Sequence, residues 1–278
     1  MLFGYVHMWV GYGRNVSLFV RFWRHSSLIG SFVKRDLMAR YKGSAIGLFW
    51  SVIHPLIMLA LYSFVFSKIL KVRVGAEEGT GNFAIYLFCG MLPWNAFAEA
   101  INRSSGVVLE HANLIKRTIF PAEILPVYLV VSGIVNELIG LVILFAALLF
   151  TGHHFSLLVL ALPAILLLQV TFTVGLAWIV AGTTVFIRDL GQIMGVGLTL
   201  WLFLTPIFYP PTLVPAEWRI LLSMNPMYAV VEAYRSLILL GRPPAWPSLA
   251  VLGVCALTTF VIGHRIFRRM QPAFADVI

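Results

Sequence analysis

Ionisable side chains are rare in this sequence, so the few that sit inside long apolar runs mark where chemistry could occur. Glu99 and Arg103 stand at i and i+4 in the run Phe83 to Leu109, a spacing that lets them pair on one helical face. Such a pair either lines a polar path or satisfies itself against a neighbouring helix, and the spacing leaves both readings open. Glu137 beside Asn136 poses the same choice in the next run. A proton relay would need a longer series of buried carboxylates across several segments, which disfavours a proton-coupled pump. His153 and His154 adjoin in a short turn; without further ligands they read as turn residues, and no metal site is expected. The chain lacks His-Glu-x-x-His, Gly-x-Ser-x-Gly and Gly-Lys-Ser/Thr, so zinc-protease, serine-hydrolase and Walker-type ATP chemistry have no seat in it.

The elements that must position these groups are membrane spans. Hydrophobic residues make up 60% of the 278-residue chain and charged residues only 11%, against roughly 25% charged in a soluble domain. About 20 apolar residues cross a bilayer, and six such stretches are expected at about 44–69, 83–109, 124–150, 157–187, 193–209 and 248–267. The first boundary is sharp. Lys34, Arg35, Asp36, Arg40 and Lys42 crowd before Gly43, whereas Ser44 to Ile69 holds only His54 and Lys68. Pro55 is expected to kink this span, and Gly43 and Gly47 are spaced for close helix approach. Cys89 and Cys255 both lie in apolar runs and read as packing residues rather than a disulfide. The first 16 residues lack the pattern of a cleavable signal peptide, so the first span is expected to direct insertion.

From Leu18 to Arg35 a helical period puts Ile29, Val33 and Leu37 on one face and Arg21, Arg24, Lys34 and Arg35 on the other. That pattern suits a helix lying on the membrane surface among anionic headgroups. Residues 215–240 hold two modest apolar runs broken at Asn225-Pro226. The second carries Glu232 and Arg235, too short and polar to span, so both are expected as re-entrant or interfacial helices. Between spans 2 and 3, Asn113-Leu114-Ile115-Lys116-Arg117 is a short basic helix held before Phe120-Pro121 and Pro126. It is either a lever that a soluble motor could push or an ordinary basic loop. With six spans, thirteen of the twenty Lys and Arg residues lie on the side of the termini, six lie opposite, and Arg103 is inside span 2. The excess puts both termini in the cytoplasm. The expected protein is thus an all-α integral membrane protein: a cytoplasmic N-terminus with an interface helix (1–43), a six-span domain (44–267) and a cytoplasmic tail (268–278). Its basic charge reports orientation, and no nucleic-acid partner is expected.

Aromatic residues crowd the spans. Most are expected at the lipid interface, while any that face a lumen could stack on the flat apolar faces of sugar rings. The stretches RDLMARYKGSAIGLFWSVIHPLIMLALYSFVF, GMLPWNAFAEAINRSSGVV, ANLIKRTIFPAEILP, VFIRDLGQI with TPIFYP, NPMYAVVEAYRSLIL and the terminal FADVI together resemble the permease subunits of type-2 ATP-binding-cassette (ABC) polysaccharide exporters. The likeness is greatest to the O-antigen export permeases of the Wzm type, and covers about residues 30 to 278.

What the resemblance implies is a homodimer in the bacterial inner membrane, bound to two copies of a separate ABC ATPase. That partner would bind ATP and Mg, so this chain is expected to be no enzyme and to hold no cofactor. Lipid-linked polysaccharide, most simply O-antigen, would enter from the cytoplasmic leaflet, past Arg21, Arg24, Lys34, Arg35 and Arg40 of the interface helix, and thread between the subunits. Asn113, Leu114, Ile115, Lys116, Arg117 and Thr118 would meet the ATPase. Tyr62, Phe66, Phe88, Trp94, Glu99, Arg103, Trp178 and Trp201 are the channel-lining candidates. Trp218, Asn225, Pro226, Tyr228, Glu232, Tyr234 and Arg235 would form a periplasmic gate. Capsule or teichoic acid cargo fits the same motifs. From another class, a membrane-embedded glycan or lipid enzyme would need a carboxylate or histidine cluster at one membrane face. A secondary transporter would need two matching broken halves, and only the region after span 5 is broken.

Overall fold

A computed structural model of the chain describes residues 24–40, 42, 44, 46–70, 82–117 and 120–278. Arg21, Thr118, the lead-in at 1–16 and the loop at 71–81 lie outside the described residues. Among those described, every regular element is helical. In chain order they are α1 (Ser26–Arg40), α2 (Trp50–Tyr62), α3 (Phe83–Ser104), α4 (Val107–Glu110), α5 (Ala112–Arg117), α6 (Ile124–Phe150), α7 (Leu162–Thr184), α8 (Leu190–Leu204), α9 (Arg219–Ser223), α10 (Pro226–Arg235), α11 (Trp246–Met270) and α12 (Phe274–Val277). Wider turns prolong α2 over Ser63–Ile69 and α10 over Ser236–Leu240.

Among the described residues, four segments are long and apolar enough to cross a membrane: Phe83–Ser104, Ile124–Phe150, Leu157–Thr184 and Trp246–Val277. The stretches expected as spans at 44–69 and 193–209 are helical and apolar but shorter, Trp50–Phe66 and Leu190–Leu204. The first begins late because Gly47, with φ of +58°, turns the chain ahead of it. The second stops where Thr205-Pro206 denies the next turn its amide donor. The run expected at 83–109 is likewise not one helix. Ser105 Oγ donates to Asn102 O at 2.6 Å, Gly106 follows, and the chain restarts as α4.

Helix α3 is the hub. It is buried on most sides, its apolar residues covering all but one polar face, and α6, α7 and α10 pack against it. Asn82 Oδ1 starts it by accepting from Ala84 N at 3.0 Å. Helices α7 and α11 form the most extensive pair. Around this core, α2 has no buried residue and α8 only Leu198, so two apolar helices stand at the periphery with their outer faces uncovered. Helix α1 lies against α6, burying Phe32 and Val33 and half-burying Ile29 and Leu37. Over the described residues the expected apolar face is present and broadened by Phe32; its first part, with Leu18, Phe19 and Phe22, lies outside them.

Candidate functional site

A cavity of about 740 Å³ opens between α2, α3, α6 and α8, with Arg40 of α1 at one end. Ser51, His54 and Tyr62 come from α2; Trp94, Asn95, Glu99 and Asn102 from α3; Asn136 and Glu137 from α6; and Thr199 from α8. Asn95, Glu99 and Asn102 recur at i, i+4 and i+7, so a polar stripe runs down one face of the hub helix. Amides and carboxylates at this depth require water or a polar ligand rather than lipid.

The end of the cavity is closed by an ionic knot. Arg103 pairs with Asp36 by two hydrogen bonds, the longer 3.1 Å, and reaches Glu99 at 3.4 Å. Arg40 pairs with Glu99 and approaches Asp36 at 3.1 Å, and Ser132 Oγ donates to Asp36. The pairing of Glu99 with Arg103 follows the sequence spacing. The partner that organises both, Asp36, comes from an element 67 residues earlier, where the sequence shows only a crowd of charges ahead of the first span. Burial alone would raise the Asp36 carboxyl, but hydrogen bonds from Arg103 and Ser132 and the charges of Arg103 and Arg40 outweigh it and hold it at about 2. Because this lies below the ordinary 3.8, the knot's contribution is fully present above about pH 4 and is lost as pH falls toward 2. Asp36→Asn is expected to destabilise the protein by about 1 to 2 kcal/mol, because the Asp36 side chain is only 9% exposed and its hydrogen-bond donors lose a charged acceptor. Thermal unfolding in detergent measures it, and the difference from wild type should be equal at pH 5.5 and pH 8.

Deeper in the bundle, Glu137, Gln169 and Tyr234 are buried together. Gln169 Nε2 donates to Glu137 Oε2 at 2.8 Å and to Pro93 O at 3.3 Å, and the Tyr234 hydroxyl donates to Glu137 and lies 3.2 Å from Gln169 Oε1. Four helices, α3, α6, α7 and α10, are thereby joined beside the cavity wall.

Of the aromatic channel candidates, Tyr62 and Trp94 line the cavity, as does Glu99. Trp201 meets Trp94 edge to face, with ring centroids 6.4 Å apart, and Phe97 likewise at 5.2 Å. Phe66 lies against Phe83 at 4.9 Å. Phe88 and Trp178 are buried in the chain's own core, Trp178 donating Nε1–H to Glu123 O at 2.9 Å. Arg103 stands in the knot.

The expected gate residues form one tethered unit. Asn225 Oδ1 accepts from Met227 N at 3.0 Å and from Trp201 Nε1 at 2.9 Å, while its Nδ2 donates to Thr205 Oγ1 at 3.0 Å. One side chain thus caps α10 and ties it to the end of α8. Pro226 opens α10, Tyr228 and Glu232 are half-buried, Tyr234 and Arg235 fully buried, and Trp218 is exposed.

The segment 113–117, expected as a lever or an ordinary basic loop, lies in α5. Leu114 and Ile115 pack inward and Asn113 and Lys116 face outward. Helix α12, from the terminal FADVI, abuts it. Just before it, His111 lies 5.9 Å from Phe32 and 6.1 Å from Tyr128, and Phe32 lies 5.8 Å from Phe120. This aromatic cluster bolts α1 to the connection that carries α5. Lys34 and Arg35 remain exposed on α1 and Arg24 just before it, whereas Arg40 turns into the knot.

Residues 27–239 match the model of the ABC-2 type transporter family. The O-antigen export system permease protein RfbA of Myxococcus xanthus is 28% identical over 258 residues, covering 92% of this chain and 97% of that protein. A permease protein RfbA of Klebsiella pneumoniae is 28% identical, covering 88% and 92%. The polysialic acid transport protein KpsM of Escherichia coli is 23% identical, covering 86% and 92%.

Proposed function

We propose, from the premise that this chain belongs to the ABC-2 type transporter family, that it is the permease subunit of an ATP-driven exporter of lipid-linked polysaccharide, most simply O-antigen. The observation that carries this reading is the cavity, walled by Tyr62, Trp94 and a stripe of amides between apolar helices. Aromatic faces grip sugar rings and amides meet their hydroxyls, without the deep wells that would halt a moving polymer. The relatives' names as O-antigen permeases agree with it. Likeness to a polysialic acid transport protein favours capsule as the second cargo.

In this reading α2, α3, α6, α7, α8 and α11 are the six spans and α9 and α10 the periplasmic gate, with both termini in the cytoplasm of a multi-pass inner-membrane protein. A second copy covers the outer faces of α2 and α8, which the single chain leaves bare, and completes the wall. Two ATPase subunits bind ATP and Mg and press on α5. The push passes through His111, Phe120 and Phe32 to α1, and through Asp36, Arg40 and Arg103 to the stripe on α3. The basic face of α1 receives the anionic headgroup of the incoming lipid carrier.

The experiment is charge reversal of the lever. Lys116→Glu with Arg117→Glu is expected to abolish co-purification of the ATPase and to reduce export at least tenfold, with the variant still inserted and dimeric. Unchanged association and export would refute the lever role.

A further inference from the structure

The geometry points to an uncharged glycan, rather than a polyanionic one, as the polymer that fits this cavity. The inference rests on the reading of the cavity as the path and specifies its cargo. Among the described residues that line the cavity, the ionisable groups besides His54 are Arg40, Glu99 and Glu137, so carboxylates outnumber cations. The cation is already committed, Arg40 being paired with Glu99 and Asp36. Arg103 behind it is held by the same two carboxylates. A chain of acidic sugars needs guanidinium or ammonium groups that are free to meet each carboxylate as it passes. Among the described lining residues no guanidinium is left free for that: Arg40 is spent on Glu99 and Asp36, and Glu137 is buried and held by Tyr234 and Gln169, so an acidic polymer finds no counter-charge in this weakly screening space.

Hydrogen-bond polarity gives the same answer. Asn136 Oδ1 is buried and has no hydrogen-bond donor among the described residues, and Asn136 lies on the cavity wall near the middle of α6. An orphaned buried acceptor is costly and is relieved only by a donor. A sugar hydroxyl donates as well as accepts; an ionised carboxylate only accepts. Asn95 and Asn102 extend the same amide chemistry along α3 on the facing stripe.

Two photo-reactive probes of equal length decide the matter: a diazirine-tagged dextran heptasaccharide and a diazirine-tagged heptamer of sialic acid. Each is applied to the permease–ATPase complex in lipid nanodiscs, and the labelled peptides are read by mass spectrometry. The dextran probe is expected to label peptides from 83–104 and 124–150 at least tenfold more than the sialic acid probe. Asn136→Lys, and separately the more exposed Asn95→Lys, should raise labelling by the sialic acid probe at those peptides. Equal or stronger labelling by the sialic acid probe in wild type would overturn the inference while leaving the path in place. Labelling of these peptides by neither probe would overturn the path itself, and the inference with it.

Discussion

Gly263→Ala is expected to prevent α7 and α11 from closing on each other, and little folded protein should be recovered. A Cβ at Gly263 would stand 2.1 Å from Gly175 O and 2.9 Å from Gly175 C, and one at Gly175 would stand 2.4 Å from Phe260 N. The obstacles are backbone atoms, which cannot swing aside as a side-chain tip can. The two helices must separate, and that separation undoes contacts along the most extensive pair in the bundle. In lipid, helix association depends on such close van der Waals approach rather than on a hydrophobic drive. The expected cost is about 3 kcal/mol or more, the upper end for overpacking. Fluorescence-detected size-exclusion chromatography measures it as loss of the monodisperse peak. Gly253→Ala on the same helix, where a Cβ meets nothing within 4 Å, is the control and should behave as wild type.

Arg235→Met is the second large effect. Arg235 is 1% exposed, and its Nη1 and Nη2 donate to Pro206 O at 2.7 Å and Ile207 O at 2.9 Å. Its guanidinium lies 3.6 Å over the Tyr86 ring. The side chain therefore pins the break after α8 to α10 and to the hub helix at once. Methionine fills much of the volume but leaves two buried carbonyls without donors, at a cost of about 1 to 3 kcal/mol for each. Two readouts are expected to move together: a lower unfolding temperature, and faster proteolysis within 205–225 as the tether loosens. Arg235→Lys, which can satisfy one carbonyl but not both in the same plane, should recover part of the first.

The spans were legible where punctuation is strong. Ile124–Phe150 agrees with the sequence reading at both ends because Pro126 and the Thr151-Gly152 turn bound a continuous apolar run. The pairings between elements were not. Asp36 meets Arg103 and Ser132 across 67 and 96 residues, and no local period reveals such a contact. Gly47 was read with Gly43 as a helix-approach spacing, yet it adopts a positive φ in a turn with nothing near its Cβ position, while the close crossing joins Gly175 to Gly263. Trp178 illustrates a different limit. Helix α7 is apolar around its circumference, so periodicity cannot tell a lipid-facing tryptophan from one held in the core by Glu123 O. The amide stripe at Asn95, Glu99 and Asn102 did carry a helical period, and Trp94 and Tyr62 stand beside it; the cavity was half-written in α3 and completed by α2, α6 and α8.

The central claim is that this cavity carries the polymer. Asn95→Cys in a Cys89→Ala, Cys255→Ala background, reconstituted in proteoliposomes with its ATPase, tests it most directly. A bulky thiol reagent at position 95 is expected to reduce ATP-driven glycan translocation at least tenfold while the ATPase stays bound and continues to hydrolyse ATP. Translocation at the unmodified rate by fully labelled protein would place the path elsewhere and contradict the account.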